Sequence, residues 1–168
     1  MPAAGKDGEK RGYIVPIGGS EDKDTHPVIL IRVLALAGGR DANIVIVPTA
    51  SLQAETGSFY ERIFTKLGAG KVSSIPIATR SDCNNPEFAE RCGQASAIFL
   101  TGGNQLRLSS ILGGTAVAQM IRRKNAAGTL VAGTSAGASI MSEHMLAGGE
   151  PDKGPSGGGV VLDRKSVV

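Results

Sequence analysis

The chain has 168 residues, 41% hydrophobic and 20% charged, with a net charge of +3. That length suits one domain with a real core, and the balance is that of a soluble globular protein. The scattered basic residues and the 4% aromatic content argue against a nucleic-acid surface, and no apolar run is long enough to cross a membrane.

Residues 1–12 are polar without an apolar core segment, so they read as a disordered tail rather than a signal peptide, and a cytoplasmic location is expected. "YIVPIGG" (13–19) is a short strand run closed by two glycines. "HPVILIRVLALAGG" (26–39) has helical length and a glycine stop. "NIVIVPTAS" (43–51) is a nearly unbroken β-branched run, as expected of a parallel strand buried on both faces. "GSFYERIFTKLGAG" (57–70) predicts an amphipathic helix with Phe59, Ile63, Phe64 and Leu67 on its buried side.

"KVSSIPIA" (71–78) is a weaker strand, and "NPEFAERCGQ" (85–94) a short helix with proline at its start. "ASAIFLTGG" (95–103) is strand again, followed by one or two helices, the second of which carries Arg122, Arg123 and Lys124 late in its course. "TLVAGT" is the last clear strand, and "SAGASIMSEHML" the last expected helix. The alternation predicts a single α/β domain over 13–149, with a parallel sheet covered on both faces. Residues 150–168 read as loop or disordered. Cys83 and Cys92 lack metal-ligand spacing and are expected as free thiols.

In such sheets, function gathers at the carboxyl ends of the strands. Four ends share a character: "GGSED" (18–22), "PTAS" (48–51), "TGGNQ" (101–105) and "GTSAG" (133–137). Each joins small residues to an exposed polar group, which lets backbone come close to a substrate. G-x-S-x-G arises readily by chance in a chain with 24 glycines. Its context carries the reading: Ser135 lies where a buried strand turns directly into a helix, the geometry of a nucleophile elbow. Gly133 and Gly137 leave room for the turn. The Ala136 N–H is one natural oxyanion donor, and the "TGG" at 101–103 is the place for a second.

A nucleophilic serine needs a base. His26 stands in a loop before a helix. His144 is placed on the helix after Ser135, well over ~10 Å along the axis. His144 does not easily reach back and His26 is a weak candidate, so the elbow is complete while its base is missing.

"GGSEDK", "PTAS", "IFLTGGNQLRL" and "AGTSAGASIMSEHM", in that order, resemble the cyanophycinases, serine peptidases related to the aspartyl dipeptidase called peptidase E. The resemblance implies a flavodoxin-like fold, related to class I glutamine amidotransferases and here incomplete at its C-terminus. It implies hydrolysis of cyanophycin, or of another β-aspartyl peptide, to β-Asp-Arg dipeptides, without metal or organic cofactor, and a homodimer in the intact parent. Ser135 matches the nucleophile, Gly103 and Ala136 the oxyanion-hole donors, and Gln105 a substrate contact. Asn104, the second residue implied to bind substrate, stands where Asp is common. The family's "DQH" histidine, its substrate-binding arginines and its acidic triad member lie further along, and "VVLD" at 160–163 is followed by Arg164 and Lys165 instead. The chain as given is therefore expected to be inactive. Residues 163–168 read as foreign to the domain, because a common adapter sequence translates to the same six residues; a natural short variant is the rival explanation. The functional alternatives are an aspartyl dipeptidase and a non-catalytic α/β domain that binds a small ligand.

Overall fold

The computed structural model describes residues 10–142, 144–146 and 161–163. Five strands form one parallel sheet: β1 (Ile14–Ile17), β2 (Asn43–Val47), β3 (Lys71–Ser74), β4 (Ala97–Leu100) and β5 (Leu130–Thr134), in the order β1-β5-β4-β2-β3. Alternating residues of β2 feed two cores. Ile44 and Ile46 pack with α1 (Val28–Ala37) and α2 (Thr56–Lys66), around Leu30, Phe64 and Phe99. Val45 and Val47 pack on the opposite face with α3 (Pro86–Gln94), α4 (Gln105–Leu112) and α5 (Ala116–Ala126), around Ile98, Leu108 and Ile121. The unbroken β-branched run in β2 follows from this double burial. Each fully buried Ile or Leu contributes roughly 1.5–3 kcal/mol of transfer free energy.

The face of α2 differs by one position from the expected stripe. Tyr60 is buried at 5% exposure, whereas Phe59 is 39% exposed. Tyr60 goes inside because its hydroxyl donates to the carboxylate of Glu21 at 2.8 Å, so the polar tip is satisfied there. Ile63 and Phe64 are buried as expected.

The last expected helix is a correction. Among the described residues after β5 the one helix is α6 (Ala136–Ser139), a single turn. His144 falls instead in β6 (His144–Leu146), paired antiparallel with β7 (Val161–Asp163). His144 therefore lies five residues beyond the end of that helix and not on it. β7 also gives strand structure to three residues of the expected C-terminal tail; residues 147–160 and 164–168, including most of the segment read as foreign, lie outside the described residues.

At the other end, residues 1–9 of the expected tail lie outside the described residues, but Arg11 and Gly12 do not hang free. The Gly12 N–H donates to Asn125 O at 2.8 Å, and Arg11 Nε donates to Asn125 Oδ1 at 2.8 Å. Asn125 is wholly buried and returns hydrogen bonds to Gly12 O and Thr129 O.

Candidate active site

Register alone brings four strand ends together. Ile17 pairs with Thr134, Gly133 with Leu100, and Leu100 with Val47. In parallel strands this sets Gly18, Ser135, Thr101 and Pro48 along one edge of the sheet. The β2–β3 connection runs towards one edge of the sheet and the β4–β5 connection towards the other, so the ends of β2 and β4 diverge. Such a switch point opens a crevice. A cleft of about 490 Å³ lies there, lined by Ala50, Ser51, Tyr60, Gly102, Gly103 and Asn104 among others.

Ser135 sits at φ 53°, ψ −113°, a conformation that a residue with a side chain rarely adopts. Its N–H donates to Ile17 O at 2.9 Å, which ties the bend to β1. Its carbonyl accepts from the N–H groups of Ala138 and Ser139, which starts α6. The residue is exposed although its neighbours Thr134 and Ala136 are buried. Two glycines wall it in. A Cβ on Gly19 would stand 3.1 Å from Ser135 Cβ, and one on Gly102 would stand 3.3 Å away. The serine thus lies between the ends of β1 and β4 with only backbone on either side.

The other expected site residues are distributed as follows. Ala136 directly follows the bend, and among the described residues its N–H has no hydrogen-bond acceptor. The same holds for the N–H of Gly103. Gly103 has φ 143°, and a Cβ there would fall 2.2 Å from Ala50 O, so the strand ends of β2 and β4 close on a glycine. Of the two glycines at the end of β4, Gly102 is the one whose Cβ would meet Ser135, one residue earlier than the expected donor. Asn104 lines the cleft and caps α4, its side chain accepting from the Arg107 N–H at 2.9 Å. Either Asn or Asp serves as such a cap, which accounts for the exchange at this position. Gln105 is the first residue of α4, half-buried. With α6 only one turn long, a helix dipole supplies little here; the local N–H groups are what remain available to an anion.

Neither histidine is hydrogen-bonded to Ser135 among the described residues. The His26 N–H donates to the carboxylate of Asp22, in the loop before α1. Among the described residues no cluster of His, Cys, Asp and Glu is arranged to hold a metal ion.

Sequence reasoning passed over Glu21. It is buried, and its carboxylate accepts from Thr134 Oγ1 at 2.6 Å and from Tyr60 Oη at 2.8 Å. Lys23 Nζ lies 3.2 Å from the same group. Burial pushes this carboxyl up, but the bonds from Thr134, Tyr60, its own N–H and Lys23 outweigh it and hold it below the ordinary value. Burial and the bond to Glu21 push Tyr60 well above the usual phenol range. The motif "GGSED" sets two acidic residues at a strand end, of which Glu21 is buried and Asp22 exposed.

Fold and strand-end geometry define a flavodoxin-like α/β protein that presents a strained serine at a strand–helix bend beside a switch-point cleft. Comparison with known proteins makes the assignment narrower. The sequence pattern described as Peptidase family S51 matches residues 14–157, and the chain belongs to that family. It is 41% identical over 145 residues to a cyanophycinase of Trichormus variabilis, covering 85% of this chain and 49% of that protein. It is 38% identical over 148 residues to a cyanophycinase of Geminocystis herdmanii, covering 87% of this chain and 54% of that protein. The crystal structure of a peptidase from an acI-B1 Actinobacterium superposes with a TM-score of 0.69 at 25% identity, over 81% of this chain and 59% of that one. The chain spans about half the length of the curated relatives it matches.

Proposed function

We propose that this chain carries the nucleophile half of a serine peptidase acting on β-aspartyl peptide bonds, with cyanophycin as the substrate and β-Asp-Arg as the product. The observation that carries this reading is Ser135 itself: exposed, at φ 53°, and walled by the backbone of Gly19 and Gly102. A hydroxyl held there reaches a substrate carbonyl without a side chain in the way.

In the reaction, Ser135 Oγ attacks the carbonyl carbon and its proton passes to a base. The N–H groups of Ala136 and Gly103 receive the negative charge on the oxygen; neither has an acceptor among the described residues. Removing one such donor in a peptidase typically costs about 10²–10³ in rate. Gln105 and Asn104, at the start of α4, contact the substrate beside the nucleophile. The base is a histidine, and neither His26 nor His144 is hydrogen-bonded to Ser135 among the described residues. The 168-residue chain alone turns over little or no cyanophycin.

Titration of the purified chain with β-Asp-Arg, followed by amide resonances, tests the reading without needing turnover. Shifts confined to residues 102–105 and 135–137 are expected. Shifts elsewhere, or none at saturating dipeptide, overturn it. Stronger shifts with α-linked Asp-X dipeptides than with β-Asp-Arg favour an aspartyl dipeptidase instead. Cyanophycin turnover by this chain, lost in Ser135→Ala, would show that its base lies within these 168 residues.

A further inference from the structure

Glu21 is a buried carboxylate that the reaction above does not use. Its side chain is 1% exposed, and taking such a charge out of water is unfavourable unless donors surround it. Three side-chain donors do, and each belongs to a different part of the site. Thr134, whose hydroxyl donates at 2.6 Å, is the residue immediately before Ser135. Tyr60, whose hydroxyl donates at 2.8 Å, lines the cleft and packs its ring against Phe99 at a centroid distance of 4.9 Å. Lys23 folds back from the same loop, 3.2 Å from the carboxylate, and also donates to Glu21 O at 2.9 Å.

The loop that carries Glu21 is also the one against which Ser135 rests. Gly19, two residues earlier, is the nearer of its two glycine walls. Ser20, between them, is the other residue with a side chain held at positive φ among the described residues, at 52°. The bend at Ser20 and the bend at Ser135 therefore face each other across Gly19. The carboxylate of Glu21 joins the strand end of one to the loop of the other.

We propose that Glu21 is a positioning residue for Ser135, its carboxylate fixing the elbow through Thr134 and holding the Tyr60 wall of the cleft in register with it. This rests on the reading of Ser135 as the nucleophile. Glu21 acts through Thr134 and not on the serine hydroxyl. A mere structural staple would stabilise the fold and leave the chemistry of position 135 alone.

The test needs a probe of that position which works without a base. The Ser135→Cys variant provides one, since a thiol reports the donors around it through its own ionisation. The native thiols give little background: Cys83 and Cys92 are buried, burial pushes Cys83 up, and it pushes Cys92 up to about 12. Alkylation by iodoacetamide is followed by intact mass between about pH 5 and pH 10, which yields a titration midpoint and a rate. In Ser135→Cys alone the midpoint is expected clearly below the ordinary ~8.5 of a free thiol. Adding Thr134→Val removes the donor to Glu21 while keeping shape and charge. The midpoint is then expected to rise and the rate at neutral pH to fall at least about threefold. Adding Thr134→Ser, which keeps the hydroxyl, restores both. Val33→Ala, on the buried face of α1, serves as a destabilised control and leaves the midpoint where it was.

If Thr134→Val lowers the melting temperature as Val33→Ala does but leaves midpoint and rate unchanged, Glu21 is a staple and the proposal is overturned. Should Thr134→Val not fold, Tyr60→Phe removes a second hydroxyl donor and keeps the ring. A shift in the same direction supports the proposal, and an unmoved midpoint overturns it. An ordinary thiol midpoint in Ser135→Cys itself would sink the nucleophile reading and this inference with it. A depressed midpoint indifferent to Thr134 and Tyr60 would sink this inference alone.

Discussion

A Cβ on Gly137 would lie 2.2 Å from the carbonyl oxygen of Leu100, so α6 and β4 touch backbone to backbone at that point. Gly133 is equally confined, 2.5 Å from the Gly137 carbonyl carbon by the same construction. The two glycines of G-x-S-x-G thus let three main chains converge behind the serine. Gly137→Ala is expected to destabilise by about 2 kcal/mol or more, because the obstacle is backbone and not a movable side chain. Gly18, at the same edge of the sheet, has nothing within 4 Å of the equivalent point. Gly18→Ala should stay within ~0.5 kcal/mol of the parent. Urea midpoints of the two variants decide the matter, and equal effects would mean that the close approach is not what the glycine serves.

Acid should destabilise the fold, and the sign follows from three carboxylates held below their ordinary values. For Glu21, hydrogen bonds outweigh the burial that pushes it up. Asp22 is lowered by the N–H groups of Asp24, His26 and Thr25, and Asp82 by those of Thr79 and Ala78. Each group binds its proton less readily folded than unfolded. Its contribution is present in full above the unfolded values of about 4 to 4.5 and is lost as the pH falls through the lower folded values. Asp22 is exposed and Asp82 only partly buried, so solvent screens them and Glu21 carries most of the effect. Urea midpoints should be flat from about pH 7 to pH 5.5 and drop below about pH 4.5, with a shallower drop in Glu21→Gln. A midpoint that holds to about pH 3, or a Glu21→Gln curve parallel to the parent, would contradict this.

How far the fold could be read from residue patterns depends on how local its causes are. The run from Ile44 to Val47 announces a doubly buried strand because each residue faces one core or the other. The bend at Ser135 is legible because small residues at a strand end have a steric reason that three positions express. What escaped reading is held by partners distant in sequence. Tyr60 exchanges places with Phe59 only because Glu21, 39 positions away, accepts its hydroxyl. Asn125 is buried because Arg11, Gly12 and Thr129 meet it at the end of α5. His144 was misplaced because the Ala, Met, Glu and Leu residues after Ser135 support a helix by composition, while the chain leaves it after one turn and pairs β6 with β7.

Asn104 invites a separation of roles, since it lines the cleft and also caps α4. Its side-chain oxygen is committed to the Arg107 N–H, and its own N–H donates to Ala50 O at 2.9 Å. Asn104→Ala should lose about 1 kcal/mol from the missing cap, and Asn104→Asp almost nothing. Thermal melts read the stability, and the β-Asp-Arg titration reads the site. If Asn104→Asp weakens dipeptide binding while the melt is unchanged, the amide contributes to recognition beyond its cap. If both variants bind as the parent does, position 104 serves the helix only.

Ser135 offers the sharpest contrast between stability and chemistry. At φ 53°, ψ −113° a side chain is strained, by roughly 1–3 kcal/mol, whereas glycine adopts the mirror region freely. Ser135→Gly gains that strain energy and loses about 0.5–1 kcal/mol through the greater freedom of the unfolded chain. A net stabilisation of about 1 kcal/mol is expected. Ser135→Ala keeps the Cβ and therefore the strain, so its stability should match the parent's. Denaturant unfolding of the three proteins distinguishes the backbone from the hydroxyl as the source of the difference. If Ser135→Gly is instead less stable than Ser135→Ala, the bend is not strained, and the serine has no need of the sheet to hold it there. If the expected order is found, a side chain is being held where glycine would be more comfortable, and the reason must lie in what the exposed oxygen does.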